Sequence, residues 1–218
     1  MGDASELPME AVVVESMQPG DLVEAAAVLS RAFAYRPVPR ALSAKRRLEK
    51  ERRLTTVFRV MLGRLPGQTL VARKDQRIVG AMRIVKWPQC QISPRQGLMM
   101  LPLMLGIKRG ASPRWLMARY VWWRHDPRQP HWHIDPLGVE PDLQGRGIGS
   151  QLLGRFCELA DEALLAGYLE TDTPENVRLY QRFGFVGTGK ASIMGSTDWF
   201  MRRPATEGNR LAHNCISG

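Results

Sequence analysis

The chain has 218 residues, 44% of them hydrophobic and 24% charged, and a net charge of +10. That composition is that of one globular domain and excludes a collagenous, low-complexity or disordered chain. The longest apolar run, residues 97–107, contains Pro102 and is far too short to span a bilayer, so no membrane segment is expected. The densest basic cluster, residues 45–53, is interleaved with Glu49 and Glu51 and holds no aromatics. It reads as the solvated face of a helix, so a nucleic-acid partner is not expected despite the positive charge.

The elements follow in chain order. The first ten residues carry no basic region ahead of an apolar core, and Glu6 stands where myristoylation needs Ser or Thr. A cytoplasmic location is therefore expected. Residues 1–10 and 205–218 are expected to be flexible ends around a single domain, residues 11–204. The first strong element is a helix from Asp21, with Leu22, Ala26, Leu29 and Phe33 at helical spacing and a cap-like Asp21 and Glu24. Two prolines in 34–42 break it, and a second helix covers about 44–65. Strands are expected at Gln68–Arg73 and Arg77–Lys86, joined by a turn at 74–76. Residues 88–130 hold six prolines and the aromatics Tyr120, Trp122 and Trp123. They are read as a helix or two with loops.

The last ninety residues give sharper signals. His131–Val139 is a strand candidate, and Ile148–Ala166 is a helix closed by Gly167. Tyr168–Thr171 is a strand. Thr173 caps a helix with Pro174 at its first position, ending at Gly184. Phe185–Lys190 and Trp199–Arg203 complete the set as strands. This order predicts an α/β or α+β sheet with at least one right-handed parallel crossover.

Between the polar strand and its helix lie Gly145, Gly147 and Gly149. Backbone amides at a helix N-terminus, with no Cβ in the way, form an anion site. A Walker loop is excluded, because Gly138 and Gly145 stand seven apart and Arg146 follows. A dinucleotide fingerprint, and with it an NAD(P)-dependent oxidoreductase, is the stronger rival. It is disfavoured by Ser150 at its third position and by the polar strand "HWHIDPLGV" ahead of the loop.

The remaining pattern, Gln144-Gly145-Arg146-Gly147-Ile148-Gly149, has the form Q/R-x-x-G-x-G/A. Downstream, "ENVRLYQRFGF" (175–185) holds an Asn followed four residues later by Tyr, and then Gly-Phe. Together these resemble the GCN5-related N-acetyltransferase family, nearest to its puromycin N-acetyltransferase-like branch. The resemblance is good over about 131–203 and weak before that. It implies a central, mixed, mostly antiparallel sheet of six to seven strands flanked by helices and splayed at the fourth and fifth strands. It also implies acetyl-CoA as co-substrate, its diphosphate held by the amides of Gln144, Gly145, Arg146, Gly147, Ile148, Gly149 and Ser150. The Arg146 side chain either adds charge to a phosphate or is simply solvated.

Acetyl transfer to an amine needs a polarised thioester carbonyl, a deprotonated amine and a proton for the leaving thiolate. Pro136 cannot donate to a ladder, which suggests a bulge at Asp135–Leu137. By the resemblance, the Leu137 amide binds the acetyl carbonyl, while Gly138 and Val139 run beside the pantetheine arm. Asn176 contacts that arm and Tyr180 is the general acid. For the base, Asp135 and His133 are taken jointly, with Glu170 or water alone as alternatives. His131, His133 and Asp135 alternate and face one side of the strand until the bulge.

The expected acceptor is a primary amine of a small molecule. Tyr35, Arg36 and Arg40 weaken the case for a polycation, and the aromatics near 120 together with the Met-rich run 99–104 suggest an apolar wall, a core or a dimer contact. The chain is expected as monomer or homodimer. A catalytically degenerate CoA-binding sensor is the alternative. Cys90, Cys157 and Cys215 are odd in number and far apart, with no C-x-x-C. That argues against a disulfide framework and a zinc site, and no metal is expected.

Overall fold

The computed structural model of the chain describes residues 11–34, 44–91, 113–193 and 195–206. Their centre is a seven-stranded sheet: β1 (Val13–Ser16), β2 (Gln68–Lys74), β3 (Arg77–Lys86), β4 (His131–Val139), β5 (Ala166–Thr171), β6 (Val186–Ile193) and β7 (Ser196–Arg203). The spatial order is β1-β2-β3-β4-β5-β7-β6. Every neighbouring pair is antiparallel except β4 and β5, which run parallel. The helices are α1 (Leu22–Ala34), α2 (Ala44–Arg64), α3 (Pro113–His125), α4 (Ile148–Glu162) and α5 (Pro174–Gln181). No helix among the described residues is long and apolar enough to cross a membrane.

Strand alternation sorts the side chains onto two faces. On one face, Met82, Ile84, Trp132, Ile134 and Leu169 form a core with Leu152, Leu153 and Phe156 of α4 and with Tyr180 of α5. On the other, Val71, Ile78 and Ala81 pack under α1 and α2, and Tyr168 and Phe200 pack under Val121 and Trp122 of α3. His131 and His133, out of phase with Trp132 and Ile134, belong to this second face. Gly138 lets α1 come close, since a Cβ there would lie 2.9 Å from the Ala32 Cβ.

The β2–β3 hairpin turns over Asp75 and Gln76, at φ 50° and 63°. Left-handed residues at both turn positions match the twist of the strands. The β3–β4 ladder is irregular where Pro136 predicted it. Met82 faces Leu137 and Ile84 faces Ile134, so Asp135 and Pro136 together oppose Arg83 alone. Buried Arg83 clamps this bulge, donating to the Asp135 carbonyl at 3.2 Å and to the Pro66 carbonyl.

Three local expectations need correction. β1 precedes the first helix and was not foreseen. It is a four-residue edge strand, mostly exposed, with too little apolar alternation to stand out. The cap of the first helix is different too. A 3-10 turn at Pro19–Asp21 comes first, Asp21 accepts the Gln18 N–H at 2.8 Å, and Glu24 accepts the Ile78 N–H of β3 instead of capping. Finally, α4 ends at Glu162 and Gly167 lies inside β5, where a Cβ would meet Phe156 at 3.0 Å. The loop residues Tyr35, Arg36 and Arg40, the run 99–104 and Cys215 lie outside the described residues.

Candidate functional site

The glycine loop leads directly into α4. Gly145 and Gly147 have φ of 77° and 84°, a region that disfavours any residue with a Cβ, and a Cβ at either would meet nothing within 4 Å. Gly147 is the N-cap of α4, and among the described residues no side chain caps the helix. Its first amides therefore keep their hydrogen-bonding capacity and the positive end of the helix dipole. Arg146 is exposed and Ser150 half-buried. The loop is tied back on the side of β4. Gln144 Nε2 donates to the Val139 carbonyl at 3.0 Å. Glu140 accepts two guanidinium N–H groups from Arg31 of α1, and burial opposes but does not prevent a rise in the arginine pKa from this pairing.

Strands β4 and β5 pair only at His131–Ala166, Trp132–Gly167 and His133–Tyr168. Beyond His133 they part, while β4 stays on β3 up to Val139. Leu137, Gly138 and Val139 thus border an opening on the β5 side. Gly149 of α4 lies over the side chains of this stretch, since its Cβ would lie 3.9 Å from Leu137 Cδ2 and 3.8 Å from Val139 Cγ2. The structure thereby brings Leu137–Val139 and Gln144–Ser150 into one unit.

Tyr180 of α5 is buried in the cluster against which Leu137 packs, with its ring edge-on to Phe185 at 5.9 Å. Asn176, one turn earlier, is half-buried. Thr173 holds the N-cap position of α5 without a side-chain cap bond.

On the opposite face sits a group that sequence spacing did not gather. His133 Nε2 is 2.9 Å from Glu170 Oε2. His131 Nδ1 is 2.8 Å from the Gln129 carbonyl, and its Nε2 is 3.1 Å from Asp126 Oδ1. Cys90 Sγ lies 3.9 Å from His131 Nε2 and 3.7 Å from Asp126 Oδ2. Both imidazoles stand edge-on to the buried Tyr168 ring. Burial works against charging His131, but Asp126 and Cys90 outweigh it and raise the pKa to about 9. His133 is raised well above its ordinary value for the same reason, with Glu170 outweighing burial. Burial pushes the Cys90 thiol up, yet the two histidines bring it below its ordinary value. Asp135, by contrast, is exposed at the bulge.

Of the aromatics, Trp122 anchors α3 by donating its indole N–H to Asp198 at 2.9 Å, while Tyr120 and Trp123 remain on the surface.

The family model for the acetyltransferase (GNAT) family matches residues 35–185. Among solved structures, the chain resembles a histone acetyltransferase HPA2 and related acetyltransferase from Corynebacterium glutamicum, with a TM-score of 0.63, 23% identity, and 89% of this chain and 97% of that one covered. It is also similar to an N-acetyltransferase from Staphylococcus aureus (TM-score 0.56, 13% identity, 87% and 99% covered). A third is the ribosomal-protein-S18-alanine N-acetyltransferase of Escherichia coli (0.55, 13%, 91% and 96%). These likenesses show the fold, and the match over residues 35–185 shows the family. With its splayed β4–β5 pair and glycine loop, the chain belongs to the GNAT acetyltransferase family.

Proposed function

We propose that the chain transfers an acetyl group from acetyl-CoA to a primary amine of a small molecule, by direct attack in a ternary complex. The observation that carries this reading is the parting of β4 from β5 beyond His133, immediately upstream of an uncapped, glycine-lined helix N-terminus. Acetyl-CoA supplies an activated thioester. The amides of Gln144–Ser150 suit its diphosphate, with Arg146 adding charge from the loop. The opened backbone of Leu137, Gly138 and Val139 suits an extended amide-bearing arm, and Asn176 faces the same arm. The Leu137 amide polarises the acetyl carbonyl. As the amine nitrogen bonds to the carbonyl carbon and the C–S bond breaks, Tyr180 gives its proton to the departing thiolate.

The base is assigned to Asp135, the exposed carboxylate at the bulge. His133 was the joint candidate, but its Nε2 is engaged by Glu170 and its side chain is largely enclosed.

Thiol release, followed with a panel of small amines, tests this reading. Tyr180→Phe should lower turnover by about 100-fold or more, the scale of a lost general acid, with acetyl-CoA affinity nearly unchanged. Wild-type protein that binds acetyl-CoA yet releases no thiol with any amine would instead be a CoA-binding sensor.

A further inference from the structure

We propose that Cys90, Asp126, His131 and His133 bind a zinc ion as a closed, four-ligand structural site on the sheet face that carries α3. One donor atom from each residue lies within 4.8 Å of all the others. Bonds of about 2.0–2.3 Å to a tetrahedral zinc place its ligand atoms roughly 3.3–3.8 Å apart. The separations of His131 Nε2 from Asp126 Oδ1 (3.1 Å), His133 Nδ1 from Asp126 Oδ1 (3.9 Å) and Cys90 Sγ from His131 Nε2 (3.9 Å) bracket that edge.

The surrounding hydrogen bonds point the same way. The outer nitrogen of each imidazole is held by an oxygen acceptor, His131 Nδ1 by the Gln129 carbonyl and His133 Nε2 by Glu170. Each ring then turns its other nitrogen inward, the arrangement by which metal-ligating histidines are oriented. Asp126 is held likewise, with Gln91 Nε2 donating to Oδ2 at 3.2 Å and leaving Oδ1 to face the cluster. Among the described residues, neither Asp126 Oδ1 nor His133 Nδ1 has a hydrogen-bond partner, although the Asp126 side chain is only 7% exposed. His131 Nε2 is near Oδ1 but outside hydrogen-bond geometry. Buried polar atoms in proteins are satisfied as a rule. Other buried atoms here, Trp132 Nε1 and Thr171 Oγ1 among them, also lack partners. Only Asp126 Oδ1 and His133 Nδ1, however, are potential ligand atoms 3.9 Å apart in a cluster with two further donors, and that geometry is what a bound ion would satisfy.

The donor set selects the ion. One thiolate, two imidazoles and one carboxylate suit zinc, whereas magnesium and calcium take oxygen ligands. The thiolate and carboxylate neutralise the dication, so the buried centre carries no net charge. On binding, the protons on the Cys90 thiol and the inward imidazole nitrogens leave to solvent. With all four positions filled by protein, the ion is structural. It clasps the turn after β3, the end of α3 and β4 at the last residue still paired with β5. This is also why His133 is not the base.

The test uses the untagged full chain, purified without added metal. Elemental analysis should find about one zinc per chain, and chelation should lower the melting temperature by several degrees. Cobalt(II) replacement should give the intense visible bands of a tetrahedral centre and a near-ultraviolet thiolate band, and Cys90→Ser should abolish the latter. Glu170→Gln, which leaves the four ligands intact, should weaken zinc binding by about 10- to 100-fold in competition with a chromophoric chelator. The wild-type measurements need no variant to fold. A folded wild type that holds no zinc and gives no tetrahedral cobalt spectrum would overturn the proposal, leaving a histidinium–carboxylate cluster. Acetyl-CoA binding is measured separately and stands or falls on its own.

Discussion

Gln144 donates its side-chain amide to the Val139 carbonyl at 3.0 Å, joining the first residue of the glycine loop to the last residue of β4. The loop's distance from the strand opening is thus set by a side chain as well as by the chain path. A net hydrogen bond contributes about 1 kcal/mol, so Gln144→Ala should weaken acetyl-CoA binding by roughly five- to tenfold. Calorimetric titration checks this, and an unchanged affinity would mean that the bond does not position the loop.

Arg31 and Glu140 make the same kind of link from the opposite side. Their forked pair ties α1 to the residue following β4. Charge-assisted pairs of this geometry contribute about 1.5–3 kcal/mol when buried, and Arg31 is about one-third exposed, so a figure near 1 kcal/mol is appropriate. Glu140→Ala should lower stability by that amount in urea unfolding. High salt should narrow the gap from wild type only slightly, because the glutamate is largely buried.

Gly167 offers a test of packing. A Cβ there would approach Phe156 at 3.0 Å and Phe185 at 3.1 Å, and both rings are essentially fully buried. Neither can move aside without disturbing α4 or β6, so Gly167→Ala should destabilise by about 1–3 kcal/mol. Had the glycine closed a helix in the left-handed region, the same substitution would act through backbone strain instead. A crystal structure of the variant distinguishes displaced rings from a changed backbone.

Asp161 and Arg203 predict an acid-sensitive contribution. The Arg203 guanidinium grips both carboxylate oxygens and holds the Asp161 pKa below its usual value, with burial opposing. A depressed folded-state pKa adds stability above the unfolded value, near 4, which is lost as pH falls through the folded value. Asp161→Asn should therefore cost stability at pH 7, and the difference from wild type should shrink below about pH 4. Unfolding midpoints at the two pH values measure it. A constant difference would assign the pair's effect to packing.

Much of this architecture was legible wherever the signal is local. The β2–β3 hairpin, the bulge at Pro136, the glycine loop and the Pro174 helix start each depend on a few adjacent residues whose backbone preferences agree. Long-range features were not legible. β1 is stable only against β2, and Gly167 is glycine because two distant rings press on it. The cluster around His133 joins Cys90 and Asp126, 36 residues apart, to a histidine 41 residues beyond Cys90. The His-x-His alternation in β4 is its one visible trace in the sequence, and there it suggests His133 as a base together with Asp135. Glu170 stands in the sequence as an alternative base, and its contact with His133 emerges only from the parallel pairing of β4 and β5.

The central claim is that the loop and the opened strand receive acetyl-CoA. Calorimetric titration of the full chain tests it most directly. Saturable binding of one acetyl-CoA per chain, with NAD and ATP producing no heat under the same conditions, is the predicted result. No binding of acetyl-CoA, or equal binding of NAD, would contradict it.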